Sequence, residues 1–211
     1  MSYLEDLLDQ MTSTEWLPAQ PGELAMSGTH DIAFMAHREA EELKDEAILP
    51  ELSKLLASAK PKPRFRKALF VTACLIKNTD SKEGKDLLSA MFRNTSLDAN
   101  DLCGLLAAAS KALLAENEND GVSLLAHPDE NVVSYAADYL IDIKSRDGVS
   151  KVGALVQESR LSVDKVINIG RIGEEWTRPV LEGIVASKRG KKAKLDVECY
   201  AYAAKALREM E

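Results

Sequence analysis

The stretch His127–Lys144, HPDENVVSYAADYLIDIK, followed by SRDG at 145–148 and VSKVGALVQ at 149–157, decides the fold. Val132, Ala136 and Leu140 form one row at four-residue spacing, and Val133, Ala137 and Ile141 form a second beside it. Together they make one apolar stripe on a helix. Pro128 suits a first helical position, where its missing N–H would have no partner anyway. Asp129 and Glu130 place negative charge near the positive end of the helix dipole, and Lys144 and Arg146 place positive charge near the other end. Asp147 and Gly148 then turn the chain. Val149, Val152, Gly153 and Val156 form a second stripe. The reading is a helical hairpin with small residues in its seam.

Working outward, the same hairpin can be drawn at 29–58, 63–93, 98–126, 129–158 and 161–187, with a last helix at 195–210. The starts are separated by 34, 35, 31, 32 and 34 residues. Each first helix is rich in Ala and Leu, and the connection often ends in Gly, at Gly84, Gly121, Gly148 and Gly173. Eight residues before three of these glycines stand Ile76, Leu113 and Leu140; twelve before stand Thr72, Ala109 and Ala136, small enough for two helices to approach. Val122 and Val149 follow the glycine in two units. Such fixed-period self-similarity predicts an all-α fold, an α-solenoid of about five helical hairpins plus a C-terminal helix. The division expected is 1–28, a short helix with Leu4, Leu7, Leu8 and Met11 on one side and then a loop pinned by Trp16 and Leu17, and 29–211, the repeat array. In the last helix Val197, Tyr200, Ala201, Ala204 and Leu207 form the face expected to cap the stack or to pair with another copy.

Composition agrees. Of 211 residues 45% are hydrophobic and only 5% aromatic, which favours Ala- and Leu-rich helices over strands. The longest uncharged apolar stretch lies near 102–109, well short of the roughly 20 residues a membrane span needs. The start, MSYLEDLLDQ, is acidic and amphipathic and lacks the pattern of a signal peptide. Cys74, Cys103 and Cys199 are widely spaced in apolar helical contexts, as expected of reduced core thiols in a cytoplasmic protein. The net charge is −7, and the acidity sits in residues 1–58, which hold 12 acidic and 3 basic side chains.

The segments HPDENVVSYAADYLIDIKSRDGVSKVGALV and INIGRIGEEWTRPVLEGIVAS resemble the HEAT repeats, in particular the short HEAT-like repeats first associated with phycobilisome lyases. The residues that carry the resemblance are Pro128 and Asp129, Val132 and Val133, Ala136 and Ala137, Ile169 to Gly173, and Pro179 to Leu181, with an echo at Pro50 to Leu52 and Leu55 to Leu56. It covers 125–187 well, 29–124 loosely and 1–28 not at all. Ser134 stands where the family pattern often has Arg, so a stacked Arg ladder is not implied. The resemblance implies an array that presents surfaces to partners. The family also includes lyase-like proteins, and HEAT-like folds include alkylated-base DNA glycosylases with a basic groove, Trp and Asp; here Trp16 and Trp176 fall in loops.

Chemical motifs are few. His30, His37 and Glu41 fall on one helical face, but no four-ligand metal spacing surrounds them. His127 lacks a nucleophile or orienting acid nearby and reads as a helix cap. No phosphate loop, dinucleotide fingerprint or nucleophile elbow occurs, so no cofactor and no catalytic residue is expected. Two basic clusters, Lys60 to Lys67 and Lys188 to Lys194, fall between repeats and offer phosphate contacts, the basis of a nucleic-acid-binding or base-repair alternative using 60–67 and 188–194. The favoured expectation is a non-catalytic protein-binding module. Its acidic side chains Glu39, Glu41, Glu42, Asp45 and Glu46 would receive a basic protein partner, as an inhibitor or immunity protein would, with Trp176 either an aromatic anchor on the binding surface or a residue capping the last repeat.

Overall fold

A computed structural model describes residues 2–15, 31–58, 63–187 and 194–210. These residues form α1 (Tyr3–Gln10), α2 (Ile32–Glu42), α3 (Leu49–Ala57), α4 (Pro63–Thr79), α5 (Lys82–Met91), α6 (Ala99–Lys111), α7 (Glu118–Leu124), α8 (Glu130–Asp142), α9 (Arg146–Gln157), α10 (Val163–Ile172), α11 (Arg178–Ala186) and α12 (Lys194–Glu209), and no strand. The fold is all-α, and two consecutive α-helices fall within each of the segments 29–58, 63–93, 98–126, 129–158 and 161–187. Among the described residues no helix is long and apolar enough to cross a membrane.

The helices form two compact units, 1–112 and 113–211. In the first unit α4 is the centre. From Ala68 to Ile76 only Phe70 is not buried, so this helix is covered on nearly every side, by α1, α2, α3, α5 and α6. The stripe Leu4, Leu7, Leu8 and Met11 of α1 is buried as the sequence predicts. Three polar bonds hold that helix to distant chain: Ser2 Oγ to Glu51, Asp9 to Arg64, and the Tyr3 hydroxyl donating to Glu39 at 2.7 Å. In the second unit both rows of α8 are buried, as are Val149, Val152, Gly153 and Val156 of α9. Lys165 of α10 is only 2% exposed and donates to Asp138 at 2.7 Å, with Asp164 at 3.0 Å. Burial pushes the Asp138 carboxyl up, against the pull of Lys165. For Asp164 burial is the largest single influence, yet hydrogen bonds from Ser162 and Lys165 outweigh it and hold the carboxyl low.

The connections alternate between two types. The joints α4–α5 and α8–α9 are tight: Asp80 (φ 57°) and Lys144 (φ 55°) take the left-handed conformation, and the next residue, Ser81 or Ser145, caps the following helix. The Ser145 hydroxyl accepts the Gly148 N–H at 2.8 Å and donates to Glu118 at 2.5 Å, while Ser81 accepts the Gly84 N–H at 3.3 Å and donates to Glu46 at 3.2 Å. By contrast α3, α7 and α11 are each entered through a 3-10 turn, at Glu46–Ile48, Ala115–Asn117 and Glu175–Thr177. Ser145→Ala removes a cap and leaves Glu118 without that donor. It is expected to cost about 1–2 kcal/mol in urea unfolding, and a loss below about 0.3 kcal/mol would show that the joint is held by packing alone.

Several local expectations are corrected. Gly84, Gly121 and Gly148 lie inside the first turn of the second helix, not in the connection, and serve close approach: a Cβ on Gly84 would stand 2.8 Å from Ile76, and one on Gly148 2.7 Å from Leu140. Leu113 does not share that role. α6 ends at Lys111, and Leu113 is 62% exposed with φ 50°. The first residue of α8 is Glu130, because the Asp129 carboxylate accepts the Asn131 N–H at 2.8 Å and so holds the N-cap; Pro128 stands outside. In α12, among the described side chains, Cys199 and Ala203 are buried, whereas Val197 and Tyr200 of the expected face are about half exposed, which counts against capping by that face and does not bear on pairing with another copy. The row through 199, 203 and 206 turns inward because Gly170 of α10 leaves room for Ala206.

Candidate functional site

The helix α2 has an outer, solvent-exposed side and a side that borders a cleft. Asp31 caps it, its carboxylate accepting the Phe34 N–H at 3.2 Å, and Ala36 and Ala40 are buried against the unit. Away from that seam Phe34 and Met35 are nearly half exposed, followed by exposed Arg38, Glu39 and Glu42. Asp45 and Glu46 lie exposed in the turn that follows.

These carboxylates differ in their engagements. Glu39 accepts the Tyr3 hydroxyl; partial burial first, and then Glu39, raise the Tyr3 phenol to about 12. Asp45 accepts the Ala47 N–H at 3.0 Å, and Glu46 accepts the Ser81 hydroxyl. Glu41 pairs with Lys111 at 3.1 Å and lies 3.8 Å from Arg38; the Lys111 hydrogen bond, then its charge, hold Glu41 below the usual carboxylate range. Among the described residues Glu39, Glu42, Asp45 and Glu46 have no cationic partner within ion-pair distance, so their charge is left to solvent.

On its other side α2 borders a cleft of about 530 Å³, bounded by α4 and α6. His37 comes from α2, Arg66, Lys67 and Phe70 from α4, and Gly104, Ala107, Ala108 and Lys111 from α6. The His37 ring donates from Nδ1 to the Ala33 carbonyl at 2.6 Å and accepts at Nε2 from Lys67 Nζ at 2.9 Å, the arrangement of a neutral imidazole. Its ring meets Phe70 edge-on with centroids 5.4 Å apart, and Lys111 Nζ lies 4.7 Å from the Phe70 centroid, within cation–π range. Burial, then the neighbouring Arg66 charge, lower the Lys67 pKa. Arg66 is held loosely, its Nε 3.9 Å from Asp101 Oδ1. Asp101 is 1% exposed, its Oδ2 accepts no hydrogen bond, and burial first, with Asp98 next, raises its pKa.

The remaining expected residues fall elsewhere. Trp176 lies in the second unit, on the 3-10 turn before α11; its indole N–H donates to Glu174 at 2.7 Å and the Arg146 guanidinium lies 5.7 Å from its ring centroid. His127 accepts the Asp129 N–H at Nδ1, 3.1 Å away, and so supports the cap. Cys74 and Cys199 are buried, and burial pushes the Cys74 thiol up to about 11. Trp16, Leu17, His30, Lys60, Lys62 and the cluster from Lys188 to Lys192 lie outside the described residues. Arg64, from the first basic cluster, is tied to Asp9. His37 and Glu41, placed on one face by spacing, have different partners, and among the described residues no three His, Cys, Asp or Glu side chains gather as metal ligands would.

Neither a family model, nor a curated protein, nor a solved structure matches the chain. The geometry therefore carries the functional reading.

Sequence reasoning did not find the cleft. Arg66 and Lys67 were legible as part of a basic run and His37 as a lone histidine. Phe70 and Lys111 join them only because α4 packs on both α2 and α6, a pairing that no spacing along the chain reports.

Proposed function

We propose that the chain is a non-catalytic, protein-binding array of HEAT-like helical hairpins, and that the outer side of α2 with its following turn receives a basic protein partner. Packing within each unit supports the repeat reading. First helices meet the next first helix, as α2 with α4 with α6 and α8 with α10 with α12, and second helices do likewise, as α3 with α5 and α7 with α9 with α11. Such layer-to-layer contacts are what a solenoid reading calls for.

The observation that carries the binding reading is the uncompensated charge of Glu39, Glu42, Asp45 and Glu46 beside half-exposed Phe34 and Met35. Buried apolar anchors give affinity, and a like-signed rim steers an oppositely charged partner. An inhibitor- or immunity-type protein for a basic toxin or nuclease would use such a surface. Glu41 makes a smaller contribution, because Lys111 already neutralises it.

The tagged chain and an E39K/E42K variant are compared by capture at low and moderate salt. The parent is expected to hold one stoichiometric basic protein that is lost as salt rises, and the variant to associate at least about tenfold more slowly, with a flatter salt dependence. Capture unchanged by the reversal, or no basic protein captured at low salt, would overturn the reading.

A further inference from the structure

We propose that the cleft between α2, α4 and α6 is a binding site for a small organic phosphate carrying a flat apolar group. This inference is independent of the reading of the outer side of α2.

Charge is the first argument. Arg66, Lys67 and Lys111 converge on one cavity of about 530 Å³, and among the described residues no carboxylate lines it. The nearest acids stand behind the cations: Glu41 on Lys111 and Asp101 at 3.9 Å from Arg66. Lys67 has no carboxylate at ion-pair distance among the described residues; the atom it touches is a neutral imidazole nitrogen. An ammonium brought out of water against a neutral partner and beside a guanidinium is poorly compensated. A phosphate dianion supplies the missing charge, offers two oxygens to the planar fork of Arg66, and leaves a third for the ammonium of Lys67.

Shape is the second. The volume falls within the roughly 300–1,000 Å³ usual for small-molecule sites and exceeds what an inorganic anion fills. Phe70 is the one residue between Ala68 and Ile76 that is not buried, so its ring is presented to the cleft. On α6, Gly104, Ala107 and Ala108 are small, and Lys111 of the same helix completes that wall. A planar group against Phe70 and these small residues would take the place of the Lys111 ammonium at the ring, with its phosphate toward Arg66 and Lys67. A Cβ on Gly104 would stand 3.1 Å from Cγ of Arg66, a flexible side chain, so a larger residue there can be accepted by the fold while occupying the cleft.

The test is calorimetric titration of the full chain, at low salt, with phenyl phosphate, inorganic phosphate and a short single-stranded oligonucleotide, supported by amide spectra that follow Gly104. Phenyl phosphate is expected to bind at least tenfold more tightly than inorganic phosphate and to shift the Gly104 amide. Lys67→Met and Arg66→Gln should each weaken it at least tenfold, and Gly104→Leu, checked for native helicity, should abolish it. Three results would overturn the proposal. They are no saturable phenyl phosphate binding up to millimolar concentration, binding that survives both Lys67→Met and Gly104→Leu, and an oligonucleotide that binds where phenyl phosphate does not. The last would move the site to a nucleic-acid backbone.

Discussion

Tyr139→Ala is expected to lower the stability of the second unit by about 4 kcal/mol, the middle of the range for removing a buried aromatic side chain. Tyr139 is fully buried in α8, and its hydroxyl donates to the Leu114 carbonyl at 2.5 Å. Its ring lies where a Cβ on Gly121 would be 2.6 Å from Cε1, and that glycine has no side chain to fill the space left behind. Tyr139→Phe keeps the ring and loses the donor, and should cost only about 1 kcal/mol. Urea unfolding followed by Trp176 fluorescence in a Trp16→Phe background reads the second unit. Equal losses for Ala and Phe, or a loss below 1 kcal/mol for Ala, would refute the assignment. Burial also raises the Tyr139 pKa above its ordinary value. The phenol of the unfolded chain ionises near pH 10, whereas the folded one resists. Its stabilising contribution is therefore fully present below about pH 10 and falls away above it, and Tyr139→Phe should remove that alkaline slope.

Gly148→Ala is expected to cost about 2–3 kcal/mol, the upper part of the range for an overpacked contact. The added Cβ would meet Ser145 Oγ at 2.5 Å, Leu140 Cδ2 at 2.7 Å and Leu140 Cβ at 2.9 Å. The last of these belongs to the stem of a side chain and cannot swing aside. Combining the change with Leu140→Ala removes Cδ2 but keeps Cβ. The double variant should therefore be about 1 kcal/mol more stable than the sum of the single losses predicts. Strict additivity would show that the glycine is not held open by Leu140.

The helices were legible because burial here follows the helical period. The double row of α8, the stripe of α9 and that of α1 are all buried where three- and four-residue spacing puts them. Thr72, Ala109 and Ala136, marked by their distance from a glycine, are buried without exception. The same register failed at Leu113, because α6 ends ten residues before Gly121, whereas α4 and α8 end five and six residues before Gly84 and Gly148. Tyr139 was missed because only four-residue spacings were followed: seven residues after Val132 and three after Ala136, it stands at the edge of the same stripe, where α7 covers α8. The carboxylates of α2 were legible as a charge excess, but their division into paired Glu41 and unpaired Glu42 depends on where Lys111 arrives from α6. The cleft was not legible, because it is assembled from three helices whose side chains are individually unremarkable.

The attachment of α1 also orders events in time. Most helices of the first unit can dock on a neighbour close in sequence, which closes short loops and favours rapid folding. α1 cannot finish so early. Its bonds reach Glu39, Glu51 and Arg64, and its apolar stripe needs the helix that carries Arg64. During synthesis α2 can cover only part of α1, and the cover over Leu4, Leu7, Leu8 and Met11 is completed when α4 has followed from the ribosome, so a segment made before its neighbours is among the last to be sealed.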